Sequence, residues 1–321
     1  MNARRFAVLL LLGAPAALAA QSGLYAPLIQ QLPSGPRSLG LGNTGVASRD
    51  DEVIFFNPAQ VAIARGMSAS EERYSKTAGG GSVSAATALS AGGIAVGARM
   101  VNYEVPTNFF PADRGSMLDA GSPATSYEAS VAIGQTWKGV RGGLAAKYAE
   151  DVAPNIRVAR PMVDVGLAKD FYRVYTVGLA VQNIGKSMDI PCGLAHGGPT
   201  CATEPLPLGA AQSGTLPASA PIRTTVGVGT TRSVGEFDLA GTAAVSMLRT
   251  EFVIPSGGIE VNYSWLSGYN IALRAGARRP IAGEDALTAG AGFTMDRLSI
   301  DYALETLSGG RVGHRIGLRV R

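Results

Sequence analysis

From about residue 67 onward, apolar and polar side chains alternate with a period of two. In 127–137 the odd positions are Tyr127, Ala129, Val131, Ile133, Gln135 and Trp137, and Glu128, Ser130, Ala132, Gly134 and Thr136 lie between them. In 237–247, Phe237, Leu239, Ala243, Val245 and Met247 oppose Asp238, Thr242 and Ser246. Ile259, Val261, Tyr263 and Trp265 oppose Glu260, Asn262 and Ser264, and Leu298, Ile300, Tyr302 and Leu304 oppose Ser299, Asp301, Ala303 and Glu305. Successive side chains of a strand point to opposite faces, so this pattern predicts strands with one apolar and one polar face. The predicted strands are 67–75, 81–90, 93–103, 125–137, 140–151, 158–170, 175–184, 220–231, 236–248, 252–265, 270–279, 286–295, 298–306 and 312–321, about 14 in all.

A soluble sandwich buries its apolar faces against each other, whereas an outer-membrane barrel turns them to lipid and its polar faces inward. The barrel fits better. Most of these strands are long enough to cross a bilayer at a tilt, and longer than the five or six residues usual in soluble sheets. Tyr103, Trp137, Tyr263 and Trp265 stand near strand ends, where interface girdles form. The long connections, about 104–124 and 185–219, are the third and seventh, while even connections such as Lys138-Gly139 and Asp296-Arg297 are only a few residues. With a periplasmic mature N-terminus, that parity places long loops outside the cell and short turns in the periplasm, as bacterial barrels have them. The expected fold class is therefore all-β, a transmembrane antiparallel barrel of about 14 strands occupying residues 67–321.

What precedes the barrel is different in kind. Arg4 and Arg5, the apolar run Phe6 to Leu12 and the small-residue site Ala17-Leu18-Ala19 describe a secretory signal peptide over 1–19. The run is too short for a spanning helix. Residues 20–66 then form a segment expected to plug the lumen as a hatch. Gly40-Leu41-Gly42-Asn43-Thr44-Gly45 matches G-x-G-x-x-G, but without the strand before it and the βαβ unit after it that dinucleotide binding requires. Its glycines are better suited to close approach of the backbone to barrel walls, or to turns with positive φ. After the acidic Asp50-Asp51-Glu52, Asn57 is a good N-cap and Pro58 a good first helical residue. A short helix is expected from there to near Gly66, anchored by Phe55 and Phe56.

Composition narrows the chemistry. Charged residues are 16% of the chain and glycines number 42, unusual for a soluble protein. The net charge of +4 is spread without a dense basic run, so no nucleic-acid partner is expected. Cys192 and Cys201 share a Gly/Pro-rich loop and suit a local disulfide in an oxidising compartment. With only His196 between them, they make a poor zinc site, and neither a metal nor a cofactor is expected. His196 and His314 are the two histidines, too few to support a Ser-His-Asp arrangement, and an enzyme is not expected. Asp164, Asp238, Glu260 and Asp301 fall on polar faces of separate strands and are expected to balance Arg99, Arg223, Arg274, Arg278, Arg315 and Arg319 across a lumen.

The stretch Arg37-Ser38-Leu39-Gly40-Leu41-Gly42-Asn43-Thr44-Gly45-Val46-Ala47, an acidic spacer and Phe56-Asn57-Pro58-Ala59 resemble the N-terminal signature of the FadL-like superfamily, most nearly its PorV/PorQ-type branch. Ile300-Asp301-Tyr302-Ala303 and His314-Arg315-Ile316-Gly317-Leu318 resemble that branch's last hairpin. The resemblance marks Arg37, Gly40, Gly42, Gly45, Phe56, Asn57, Pro58 and Ala59 as the hatch motif. It implies a 14-stranded outer-membrane barrel surrounded by lipid. The branch implies association with type IX secretion, with exported proteins or secretion components bound from outside. The wider superfamily implies passive transport of hydrophobic solutes such as long-chain fatty acids. Two features depart from the pattern: the chain is short for either group, and it ends on Arg321 rather than on an aromatic residue.

Overall fold

The structure, a computed structural model, describes residues 28–104, 123–153, 156–172, 174–186, 188–191, 215–218, 222–248, 252–279, 284–307 and 310–321. Residues 1–19, expected to be a signal peptide, residues 20–27 of the expected hatch, and Cys192, His196 and Cys201 lie outside these. The barrel strands are β1 (Gly66–Arg73), β2 (Gly79–Ala88), β3 (Gly92–Glu104), β4 (Pro123–Trp137), β5 (Val140–Ala153), β6 (Ile156–Phe171) and β7 (Tyr175–Ile184), then β10 (Arg223–Val234), β11 (Phe237–Leu248), β12 (Phe252–Leu266), β13 (Tyr269–Arg278), β14 (Glu284–Met295), β15 (Leu298–Leu307) and β16 (Arg311–Val320). Each pairs antiparallel with its sequence neighbours, β7 joins β10, and β16 closes on β1 in the register Met67↔Val320 to Arg73↔His314. The result is a closed 14-stranded barrel. Closure removes the exposed strand edges that an open sheet would leave unpaired in lipid.

The predicted strands fall on these with small shifts at their ends. A difference lies between β7 and β10, where two short strands, β8 (Met188–Pro191) and β9 (Thr215–Ala218), pair as a separate two-stranded sheet. They belong to the long connection of 185–222 and carry no sustained alternation. The short turns owe their form to residues with positive φ. Lys138 at +48° and Gly139 at +78° make the two-residue turn whose twist matches its flanking strands.

The two faces sort as the alternation requires. Val131, Ile133, Leu144, Leu167, Ile259, Leu273, Ile316 and Leu318 are exposed on the outside, while Glu128, Lys147, Asp164, Glu260, Arg274, Asp301 and Arg315 are buried inside. At the short-turn end aromatic rings adjoin from β11 to β14: Phe237 lies 5.2 Å from Tyr263, and Trp265 lies 6.3 Å from Tyr263 and 6.2 Å from Phe293, ring centre to ring centre. Trp137 is 70% exposed there. Tyr103 corrects the expectation for the other end. It shares the face of Arg99 and Val101 and sits opposite the buried Ala124, so it points inward. His314 is on the outer face, its Nδ1 2.6 Å from the Tyr302 hydroxyl.

Candidate functional site

Residues 28–65 occupy the lumen. They form two short helices, α1 (Leu28–Gln31) and α2 (Pro36–Gly40), and three 3₁₀ turns, Gly45–Ala47, Asp51–Phe55 and Pro58–Ala62. The Ile29 amide donates to Ser126 Oγ at 3.1 Å, in the half of β4 towards the long connections. The Pro58–Ala62 turn lies lower, beside Gly134 and Gly143, and the chain joins the wall at Gly66, at the short-turn end.

The expected helix after Asn57 exists, but as a five-residue 3₁₀ turn that ends at Ala62. Asn57 is fully buried and caps it, its Oδ1 accepting from the Ala59 amide at 3.0 Å. Its Nδ2 donates to the Val46 carbonyl at 2.9 Å and to the Leu167 carbonyl of the wall at 3.2 Å. One side chain thus joins two turns of the segment to β6. Each bond answers a polar group that water cannot reach, and such groups are costly to leave unpaired.

The motif glycines mark close approach. A Cβ on Gly45 would stand 2.3 Å from the Phe56 ring, so the ring rests on bare backbone. Gly42 has φ +71°, and a Cβ there would meet the Ala277 and Gly257 carbonyl oxygens at 2.6 and 2.7 Å. Its amide is shared between the Leu39 carbonyl at 3.0 Å and Thr288 Oγ1 of the wall at 3.2 Å, so this donor of the G-x-G-x-x-G stretch is taken up within the barrel. Gly40 packs on Gly290 and Arg274. The wall answers with its own glycines: a Cβ on Gly143 would meet the Pro58 carbonyl oxygen at 2.2 Å, and one on Gly166 would meet Asn57 Oδ1 at 2.0 Å. These wall glycines were not singled out from sequence. Their signal was available, because they stand at polar-face positions of otherwise regular strands.

Ion pairs complete the seating. Arg37 donates through Nε and Nη2 to the two carboxylate oxygens of Glu260, at 3.1 and 2.9 Å, and through Nη1 to Asp50 at 3.2 Å. Arg274 bonds the same Glu260 and reaches Asp301 at 2.6 Å, and Arg319 reaches Asp301 at 2.8 Å. Three guanidinium groups and three carboxylates form one neutral chain from the segment into β12, β13, β15 and β16. Burial opposes ionisation of Asp50, but Arg37, Arg319, the Ser48 hydroxyl and Arg321 together hold its carboxyl below the usual range. Arg37 is correspondingly raised, chiefly by Glu260.

Further ion pairs line the wall on both sides of the lumen. Arg99 pairs with Glu128 at 3.0 Å and donates to Ser34 Oγ at 3.0 Å, and its guanidinium lies 4.9 Å from the centre of the Phe55 ring. Lys147 pairs with Asp164 at 2.8 Å. Arg278 pairs with Glu305 at 2.7 Å, and Arg315 bonds Glu72 and donates to the Pro33 carbonyl at 2.6 Å. Of the carboxylates expected to balance lumenal arginines, Asp164 is answered by a lysine instead. Asp238 is hydrogen-bonded to Ser233 of the adjacent strand. The pairs through Glu72, Glu128 and Lys147 were not anticipated.

Two cavities flank the segment, both along β7, β10 and β11. The larger, about 190 Å³, opens in the short-turn half among Ser48, Arg49, Thr176, Thr231 and Thr242. The smaller, about 40 Å³, lies in the long-connection half among Gln30, Asn43, Arg99, Thr225 and Ser246.

No family model matches the chain, and no curated protein matches it in sequence. Solved structures do match in shape. The toluene transporter TbuX of Ralstonia pickettii aligns over 90% of this chain and 99% of its own, at 12% identity and a TM-score of 0.54. The toluene transporter TodX of Pseudomonas putida aligns over 90% and 97%, at 10% identity and a TM-score of 0.57. The monoaromatic hydrocarbon channel CymD aligns over 90% and 96%, at 11% identity and a TM-score of 0.56. At such identities the likeness is one of architecture: the chain shares the fold of these hydrocarbon-transporting barrels nearly end to end.

Proposed function

We propose that the chain is a FadL-like outer-membrane channel for small hydrophobic compounds, not an enzyme, and that residues 20–66 are its hatch. The observation that carries this reading is the seating of residues 28–65 across the lumen of a barrel with that fold. An apolar outer face with an aromatic girdle supports a bilayer setting, and no helix among the described residues is long and apolar enough to cross one. In this reading the short turns, Gly66 and Arg321 face the periplasm and the long connections face outward. The Cys192–Cys201 disulfide then belongs to the outer surface.

The motif resemblance at both chain ends supports a second reading, a PorV/PorQ-type barrel that holds exported proteins for type IX secretion. The polar, ion-paired lumen favours it too, since neither internal cavity is a greasy pocket. One pair of measurements separates the readings. Deletion of the gene is expected to abolish uptake of labelled toluene or of a labelled long-chain fatty acid, while leaving exported proteins in place. Unchanged uptake, with release of normally surface-held proteins into the medium, would overturn transport in favour of secretion.

A further inference from the structure

The two cavities differ from the rest of the interior in being separated by so little. Between them stands Val46, 2% exposed, packed on Ala180 and Ala244. A Cβ on Gly227 would meet Val46 Cγ1 at 2.5 Å, and one on Gly178 would meet the Val46 carbonyl oxygen at 2.3 Å. The wall is thus pared down to glycine and alanine around one valine side chain. Elsewhere the segment is bonded to charged wall residues or pressed against backbone. Here the strip of segment backbone from Asn43 to Ala47 and the Val46 side chain divide two polar spaces, with Asn57 holding the Val46 carbonyl from behind.

The chemistry of those spaces indicates what they suit. Above Val46, Gln30 Oε1, Asn43 Oδ1 and Arg99 Nε are buried without hydrogen-bond partners among the described residues. They line a cavity of about 40 Å³, wide enough for three or four waters at roughly 10–15 Å³ each. Below it, the hydroxyls of Ser48, Thr176, Thr231 and Thr242 line the larger space, and its arginines, Arg37 and Arg49, are already paired with Asp50, Glu260 and Asp170. The surfaces offer hydrogen bonds, and the cations lining the smaller space are Arg99 and Lys147, paired with Glu128 and Asp164, and Arg223.

We propose that a second, hydrophilic route crosses the barrel along β7, β10 and β11, with Val46 as its constriction, and that it takes water and small hydrated solutes. The proposal rests on the reading of residues 28–65 as a hatch but is independent of any hydrophobic cargo. When Val46 leaves its notch, the two polar cavities join past Gly227. The constriction acts by exclusion of water from a short apolar neck, so its width and not its charge sets the flow.

The test is conductance of the purified full barrel in planar bilayers bathed in potassium chloride, in a background with Cys192 and Cys201 replaced by serine. Val46→Ala is expected to raise conductance several-fold over the parent. Val61→Ala removes the same atoms from an equally buried residue of the segment, seated against β3 and β4, and is expected to leave conductance unchanged. Adding Thr231→Cys to Val46→Ala should make the increase sensitive to a methanethiosulfonate reagent supplied from the short-turn side. Parental conductance in Val46→Ala, equal increases in both alanine variants, or indifference to the reagent would each overturn the route. Removal of residues 28–64 separates the two readings. If that deletion conducts while Val46→Ala is silent, the hatch stands and the route falls; if the deletion is silent, both fall.

Discussion

Replacing Asn57 with alanine tests the seating of the lumenal segment at one point. Three hydrogen bonds are lost, to the Ala59 amide and to the Val46 and Leu167 carbonyls, all in a place without solvent. At a net value of about 1 kcal/mol each, the segment should lose about 3 kcal/mol of docking free energy. Since 1.4 kcal/mol is tenfold in an equilibrium constant, the undocked population should rise about a hundredfold. Trypsin cleavage at Arg37, Arg49 or Arg65, measured in micelles with excess protease-free time for reclosure, should accelerate by the same factor, because slow cleavage tracks the open population. The barrel itself should keep its heat-modifiable mobility on gels. Asn57→Asp sharpens the test. It retains the acceptor that caps the turn but sets a carboxylate against two carbonyl oxygens. If capping were the whole role, aspartate would behave as the parent; the geometry requires it to be no better than alanine. A parental Asn57→Asp, or an Asn57→Ala within threefold of the parent, would refute the reasoning.

Three further outcomes are expected. Gly45→Ala should loosen the segment in the same proteolysis assay, because its methyl would enter the Phe56 ring, and Phe56→Leu in the same chain should recover part of the loss. Asp50 is held below its ordinary value of 3.8, so its contribution is complete above that pH and declines as pH falls from there through the lowered folded value. The stability difference between parent and Asp50→Asn should therefore be flat at neutral pH and shrink only in that acid range; a difference that shrinks on going alkaline would contradict the sign. On the outer face, Val131→Arg should cost about 2–4 kcal/mol in urea unfolding from lipid vesicles, and Trp137→Arg, at the girdle, about 0–1 kcal/mol. Equal costs would contradict the placement of the apolar band.

The wall was legible because one rule governs nearly all of it. A strand with lipid on one side and a filled lumen on the other must alternate, and the segments that alternated are the strands of the barrel. Tyr103 shows where the rule was misapplied: proximity to a strand end suggested the girdle, but parity with Arg99 and Val101 decides its face. The β8–β9 pair went unseen because four-residue strands carry too few positions to show a period. In the lumen, Asn57 and Pro58 announced a turn through their capping chemistry, and the glycines announced close contacts. Which wall residues meet them was not legible. Arg37 with Glu260, and Lys147 with Asp164, are juxtaposed by the curvature of the closed sheet rather than by anything local in the chain. The fold of the hydrocarbon channels adds no residue roles at 10–12% identity.

The bond from Arg315 to the Pro33 carbonyl spans 282 residues and joins the last strand of the chain to its first described turns. Such a contact has consequences for assembly order. Contacts of high sequence separation form late, since the loop they close must be ordered first. As the final strand zips onto β1, its inward arginines, Arg315 and Arg319, meet Glu72 and Asp301 of the wall and Pro33 of the segment. A segment that already lies in the trough of the half-curled sheet when the seam seals need not be threaded afterwards past those guanidinium groups. The segment is then wrapped rather than inserted, and a chain whose first turns are delayed should seal its seam more slowly.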